Sequence, residues 1–289
     1  MDSLRGNLRA FILLTKPRVV LLVSLTGLSA MILEGSLLAG PLGFLGVLMG
    51  IALAAGSAGT FNQVLDRDID AVMTRTRRNR PIPAGTIDSR CAVWFGAAMG
   101  SAALLLLTLA GNGLSALIAL GAIAFYVVVY TLWLKRRTSL NIVIGGVSGT
   151  AAPLIGWAAG AGRLDSVPIL MALIIFLWTP PHFWALALYH REDYAAARIP
   201  MLPNVAGARA TRINIAIYTL LLLPVTIYFG IHAELGILFI VAALVLAINF
   251  MRHIILLWYR KDAFSARGLF LYTILYMIVL FAVMPLSKF

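Results

Sequence analysis

Asn62, Asp66 and Asp70 stand at four-residue intervals where a long apolar run ends, and Arg75-Thr76-Arg77-Arg78-Asn79-Arg80-Pro81 follows at once. In a helix, that spacing stacks one amide and two carboxylates along a single face. Such a column suits Mg²⁺, a hard cation that commonly takes one or two carboxylates together with the phosphates of a substrate. Guanidinium groups just beyond it match phosphate oxygens in pairs. Asp68 lies about 200° around the helix from Asp66, so it stands outside the column, and Arg67 also points away. A solvated helix end would explain scattered charges but not a regular Asn-Asp-Asp column. The expected chemistry is that of a metal-bound diphosphate, with Asn62, Asp66 and Asp70 as ligands and Arg75 and Arg80 on the phosphates.

Three further segments carry polar groups that an apolar chain does not need. Tyr189, His190, Arg191, Glu192, Asp193 and Tyr194, then Arg198, form a second charged loop. Asp193 is its natural partner for a second metal or for the far side of a diphosphate; Glu192 competes for that role, and the segment reads equally as an ordinary charged loop. Lys135, Arg136 and Arg137 precede Asn141, and such a basic run is either a topology anchor or a source of phosphate contacts through Lys135 or Arg136. Trp178-Thr179-Pro180-Pro181-His182-Phe183-Trp184 sits inside an apolar run. A prolyl pair there frees backbone carbonyls, which is tolerated where a helix lines a cavity or packs on protein. His182 is ionisable at that depth and could ligate a haem iron or hydrogen-bond a substrate. It lies about 16 Å along an ideal helix from Asp193, on nearly the same face.

The elements that must position these groups are membrane spans. The chain has 289 residues, 61% of them hydrophobic and only 12% charged, unlike a soluble domain. Nine spans are read at 17–37, 40–62, 90–110, 114–134, 141–161, 166–190, 211–231, 235–257 and 267–286. The first has too long an apolar stretch for a signal peptide, and no small-residue cleavage site follows it. A net charge of +12 would suggest nucleic acid in a soluble protein. Here all the Lys and Arg except Arg163 and Lys288 fall on one side of the nine-span arrangement, beginning with Arg5, Arg9, Lys16 and Arg18. That asymmetry argues against nucleic acid and places the N-terminus in the cytoplasm and the C-terminus outside. Cys91 is the single cysteine, so an intrachain disulfide and a thiolate cluster are excluded. The two long connections, 63–89 and 191–210, lie four spans apart and each ends in a proline-punctuated stretch. This predicts an all-α polytopic fold of two four-helix halves plus one helix, with 1–289 as a single membrane-embedded domain.

The stretch from Asn62 to Asp70, with Arg75-Thr76 and Asn79-Arg80-Pro81, resembles the first motif of the UbiA-type intramembrane prenyltransferases. Trp178 to Trp184, Asp193-Tyr194, Ile199 to Pro203 and Asn141 to Gly146 are similar to the haem-modifying branch of that family, and the likeness runs from about residue 10 to 285. Gln63 stands where many members carry Asp, and Ala197 where the second motif often has another Asp; the haem-modifying branch shows similar departures. The resemblance implies nine helices around an intramembrane cavity, with the two long loops at its cytoplasmic mouth. It implies transfer of farnesyl from farnesyl diphosphate to a vinyl group of haem B, with water giving the hydroxyl of haem O. Mg²⁺ would be held at Asn62, Asp66, Asp70 and Asp193, which are the catalytic set; diphosphate would meet Arg75, Arg80, Lys135, Arg136 and Arg198; and haem would meet His182, Asn141 and Tyr189. The implied partners are the lipid bilayer and a haem A synthase or terminal-oxidase assembly factor. With no transit-like N-terminus, a bacterial cytoplasmic membrane is expected. Two other readings stay open: the same chemistry on an aromatic or quinone-precursor acceptor, and an anion transporter, whose site would lie nearer the midplane of broken helices.

Overall fold

The computed structural model describes residues 2–288, with side chains from Leu8 onward, so the Arg5 side chain falls outside the described residues. Among these residues the chain is helical throughout, and nine helices are long and apolar enough to cross a bilayer. An amphipathic helix, α1 (Asp2–Leu14), precedes them. The first span is α2 (Pro17–Glu34), followed by α3 (Pro41–Leu65), a short α4 (Arg67–Val72) and α5 (Ser89–Ala110). The fourth span is α6 (Gly113–Ala124) continued by a π-helix over Phe125–Leu134. The fifth is α7 (Asn141–Gly145), a 3₁₀ turn over Gly146–Thr150, and α8 (Ala151–Ala161). Then come α9 (Ser166–Tyr189), α10 (Arg191–Ala196), α11 (Leu202–Val205), α12 (Gly207–His232), α13 (Gly236–Arg260) and α14 (Ala263–Leu286).

The span boundaries read from hydropathy hold to within a few residues, and the differences have local causes. The first span stops at Glu34 rather than residue 37 because Gly35 adopts φ 92° and its N–H closes the helix on the Met31 carbonyl. The last begins at Ala263 because the Asp262 carboxylate accepts the Ser265 N–H as an N-cap. No apolar pattern marked α1, whose few turns lie before the first span.

Spans two to five form one four-helix bundle and α9, α12, α13 and α14 form another, with α2 packed on α8, α3 and α14 between them. The close approach of α2 to α8 depends on glycine: a Cβ on Gly156 would lie 2.6 Å from the Gly27 carbonyl oxygen. Some polar groups inside the bundles are paired across helices, which spares a bilayer interior their unsatisfied atoms. Ser29 Oγ donates to the Phe281 carbonyl at 2.6 Å, and Tyr272 Oη to the Leu246 carbonyl at 2.5 Å. Pro180 and Pro181 are buried within an unbroken α9. The two long loops share one apolar cluster, in which Ile69 and Met73 meet Tyr194, Ile199 and Met201 beneath Ile142 and Ala187. That cluster brings the segments after the second and sixth spans together at one end of the molecule.

Candidate active site

Helix α3 delivers Asn62 to this end, and the chain turns by only one residue, Asp66, before α4 resumes. The Asp70 N–H still bonds the Asp66 carbonyl at 2.8 Å, so the column survives the helix break. Asn62, Asp66 and Asp70 are all buried, and Asn62 Nδ2 donates to Asp66 Oδ2 at 2.8 Å. Leaving such carboxylates unpaired in a membrane-embedded pocket would cost several kcal/mol each, roughly. Cations from three other elements meet them. Lys135, just past the π-helix, reaches Asp66 at 2.5 Å; Arg80 pairs with Asp70; Lys16, at the start of α2, donates to Asn62 Oδ1 at 2.5 Å.

Lys16, one of the basic residues that flank the first span, is more than a topology charge. Its backbone is left-handed, φ 58°, between α1 and Pro17, and this turn aims the ammonium inward. Burial pushes its pKa well below the ordinary lysine value, with Arg80 and Lys135 pushing the same way against Asp66 and Asp70. Gln63 anchors the turn from behind by donating to the Leu13 and Leu14 carbonyls at 2.9 and 3.0 Å. This is what glutamine does in place of an aspartate beside Asn62: it holds the end of α1.

The π-helix rotates another group of residues into place, since its wider turn offsets everything beyond it by one position. Thr131 Oγ1 accepts from Asn62 Nδ2 at 3.0 Å and donates to the Tyr126 carbonyl five residues back. Tyr126 and Tyr130 stack with centroids 5.3 Å apart, and Lys16 Nζ lies 5.8 Å from the Tyr126 ring centre. Gly145 is required opposite, because a Cβ there would run into the Tyr130 ring.

The other sequence-derived candidates divide. Asp193 does reach the first loop, but its oxygens accept the Thr74 and Arg75 backbone N–H groups at 3.0 and 3.2 Å. Among the described residues no three His, Cys, Asp or Glu side chains form a preassembled cluster. His190 Nδ1 lies 3.7 Å from Asp193, while burial and then Arg75 push its pKa below the usual histidine value. Arg75 Nε is buried without a hydrogen-bond partner. Arg136 faces away, in a two-pronged pair with Asp68 at 2.7 Å that lowers the Asp68 pKa, at the edge of a roughly 530 Å³ surface groove. Arg198 is exposed at a left-handed turn, φ 54°. Asn141 is buried and donates to the Thr138 carbonyl at 2.6 Å, bracing the loop after Lys135. Tyr189 is half-buried with its ring against His190. His182 lies deeper, between Trp178 and Phe270, with Nδ1 2.7 Å from Thr273 Oγ1.

Counting formal charges, Lys16, Arg75, Arg80 and Lys135 outnumber Asp66, Asp70 and Asp193. A buried cluster with surplus cations and a donor left unpaired is suited to receive an anion. Asp66 Oδ1 is likewise buried without a partner, an orphaned carboxylate oxygen that suits a hard divalent cation.

Two membrane-crossing helical bundles with this polar mouth define a polytopic membrane protein whose site combines carboxylates with an anion pocket. The model of the UbiA prenyltransferase family matches residues 20–280, and the chain belongs to that family. It is 45% identical over 285 residues to the protoheme IX farnesyltransferase of Rhizorhabdus wittichii, covering 97% of this chain and 94% of that one. The Gloeobacter violaceus protein of the same name is 46% identical, with 100% of this chain and 94% of that one covered. Among solved structures, a digeranylgeranylglyceryl phosphate synthase superposes with a TM-score of 0.79 at 18% identity over 99% of both chains. A UbiA homologue from Archaeoglobus fulgidus, bound to DMAPP and Mg²⁺, superposes with a TM-score of 0.72 at 16% identity, over 95% of this chain and 99% of that one. These structural likenesses carry the fold.

Proposed function

We propose that this chain is one membrane-embedded prenyltransferase domain that transfers farnesyl from farnesyl diphosphate to a vinyl group of haem B, giving haem O and diphosphate. The observation that carries the chemistry is the buried Asn62–Asp66–Asp70 column surrounded by surplus cations; the protoheme IX farnesyltransferases matched along nearly their full length support the acceptor. Mg²⁺ is the proposed cofactor, held by Asn62, Asp66 and Asp70. It would supply a Lewis acid for the departing diphosphate.

Arg75, Arg80, Lys135 and Lys16 bind the diphosphate oxygens and stabilise the charge that grows as the C1–O bond breaks. When the anion enters, Lys135, Arg80 and Lys16 exchange their present partners for phosphate. The stacked faces of Tyr126 and Tyr130 favour an allylic cation next to the pocket. The surrounding apolar helices exclude water until the vinyl carbon has attacked. The new carbon–carbon bond leaves a cation on the haem side chain; water adds there and loses a proton. Asp193 acts by holding the first loop closed through the Thr74 and Arg75 N–H groups. His182 contacts the haem. The positive charges support an orientation with the N-terminus and this mouth in the cytoplasm and the C-terminus outside, in what this reading takes to be a bacterial inner membrane.

Purified protein incubated with haem B, farnesyl diphosphate and Mg²⁺ should yield a haem carrying one farnesyl and one hydroxyl by mass spectrometry. A chelator should stop the reaction and added Mg²⁺ restore it. Folded protein that returns haem unchanged would overturn the acceptor, and turnover indifferent to the chelator would overturn the metal.

A further inference from the structure

We propose that Thr273 is a positioning residue that fixes the proton of His182 on Nδ1 and so presents Nε2 as an open lone pair to the haem iron. The inference rests on the reading above, in which His182 contacts the haem, and adds how the imidazole is prepared for it.

Two contacts meet at Thr273. Its side chain is buried, and its hydroxyl has one hydrogen. Oγ1 lies 2.6 Å from the Phe270 carbonyl, which can only accept, and we assign the hydrogen to that shorter contact. His182 Nδ1 lies 2.7 Å from the same oxygen and is then the donor. A neutral imidazole that carries its proton on Nδ1 has a bare lone pair on Nε2. Nε2 has no hydrogen-bond partner among the described residues, and His182 is only half-buried.

Other contacts hold the ring in this attitude. Trp178 covers one face, with centroids 4.4 Å apart and planes at 17°, and Phe270 covers the other at 4.7 Å and 28°. Phe183 abuts the ring at 5.2 Å and 84°. Trp178 Nε1 donates to the carbonyl of Thr273 at 2.8 Å, so the same residue fixes both the stacking partner and the imidazole. Inside a bilayer span an unsatisfied nitrogen is costly, and an imidazole donating from one nitrogen commonly binds a metal through the other. Haem iron is the Lewis acid that the proposed acceptor brings. A knot that merely tied α9 to α14 would need Nδ1 bonded but would set no requirement at Nε2.

The test uses the full chain with added haem B, comparing wild type, His182→Ala, Thr273→Val and Thr273→Ser by visible and electron paramagnetic resonance spectra. Wild type should show a histidine-ligated haem that His182→Ala loses. Thr273→Val, of equal shape but without the hydroxyl, should shift towards the His182→Ala spectrum with haem affinity about 10- to 100-fold weaker. Thr273→Ser should keep the wild-type spectrum, and KM for farnesyl diphosphate should stay unchanged in both Thr273 variants. A Thr273→Val spectrum and affinity like wild type, with His182→Ala altered, would overturn the role of Thr273 and leave the haem contact standing. An unaltered His182→Ala spectrum would overturn both. Nitrogen-15 histidine resonances of the haem-free protein, assigned with His182→Ala, give a readout that needs no variant of Thr273. They should show the proton on Nδ1; a proton on Nε2 would overturn the proposal.

Discussion

The Lys135–Asp66 pair offers the sharpest separation of structural and chemical roles. At 2.5 Å and an effective dielectric of about 20, its gross Coulomb attraction is about 7 kcal/mol. Desolvating two buried ions removes several kcal/mol each, roughly, so the intact pair contributes little net stability. Breaking it is another matter, because Asp66 is 0% and Lys135 15% exposed and the survivor stays buried. Asp66→Asn or Lys135→Met alone should cost about 3–5 kcal/mol. The double variant, with no charge left to strand, should lose only about 1–2 kcal/mol, well short of the sum of the two single losses. Reversible unfolding in mixed micelles measures all four proteins. Activity should not follow stability: all three variants should be at least about 100-fold slower, since neither Asn nor Met restores the carboxylate or the phosphate-binding ammonium. Recovery of turnover in the double variant would refute a chemical role for the pair. Additive losses of stability would refute the pair itself.

Three other perturbations test separate links. Gly156→Val should push α2 from α8 against the Gly27 carbonyl and destabilise the fold by about 1–3 kcal/mol, read by the same unfolding assay. Asp193→Ala should release the Thr74 and Arg75 N–H groups, raise KM for farnesyl diphosphate more than it lowers haem affinity, and make the 73–88 segment sensitive to limited proteolysis at its arginines. Gln63→Ala should lose two bonds to the end of α1 at about 1–3 kcal/mol, and a spin label at Leu8 should report a more mobile helix.

Hydropathy made the nine spans legible because a bilayer penalises every exposed backbone group and rewards long apolar runs. The four-residue spacing made Asn62, Asp66 and Asp70 legible because helical geometry leaves little choice of face. Pairings made by the fold were not legible. Lys16 looks like any basic residue before a span until its left-handed turn is seen; the one available sign was the following Pro17, which disfavours a helical residue before it. Lys135 and Arg136 are neighbours of like charge, yet the end of the π-helix sends one to Asp66 and the other to Asp68. Asp193 bonds the Thr74 and Arg75 N–H groups, and no spacing in the sequence announces that contact across 119 and 118 residues. Thr273 lies ninety-one residues from His182 and carries no motif.

The ion pairs of the site have a consequence for the membrane around it. A carboxylate without a cation partner at the end of a helical bundle would draw water inward between the helices. By matching Asp66 with Lys135 and Asp70 with Arg80, the fold lets two acids sit buried at the mouth of an apolar bundle without that water.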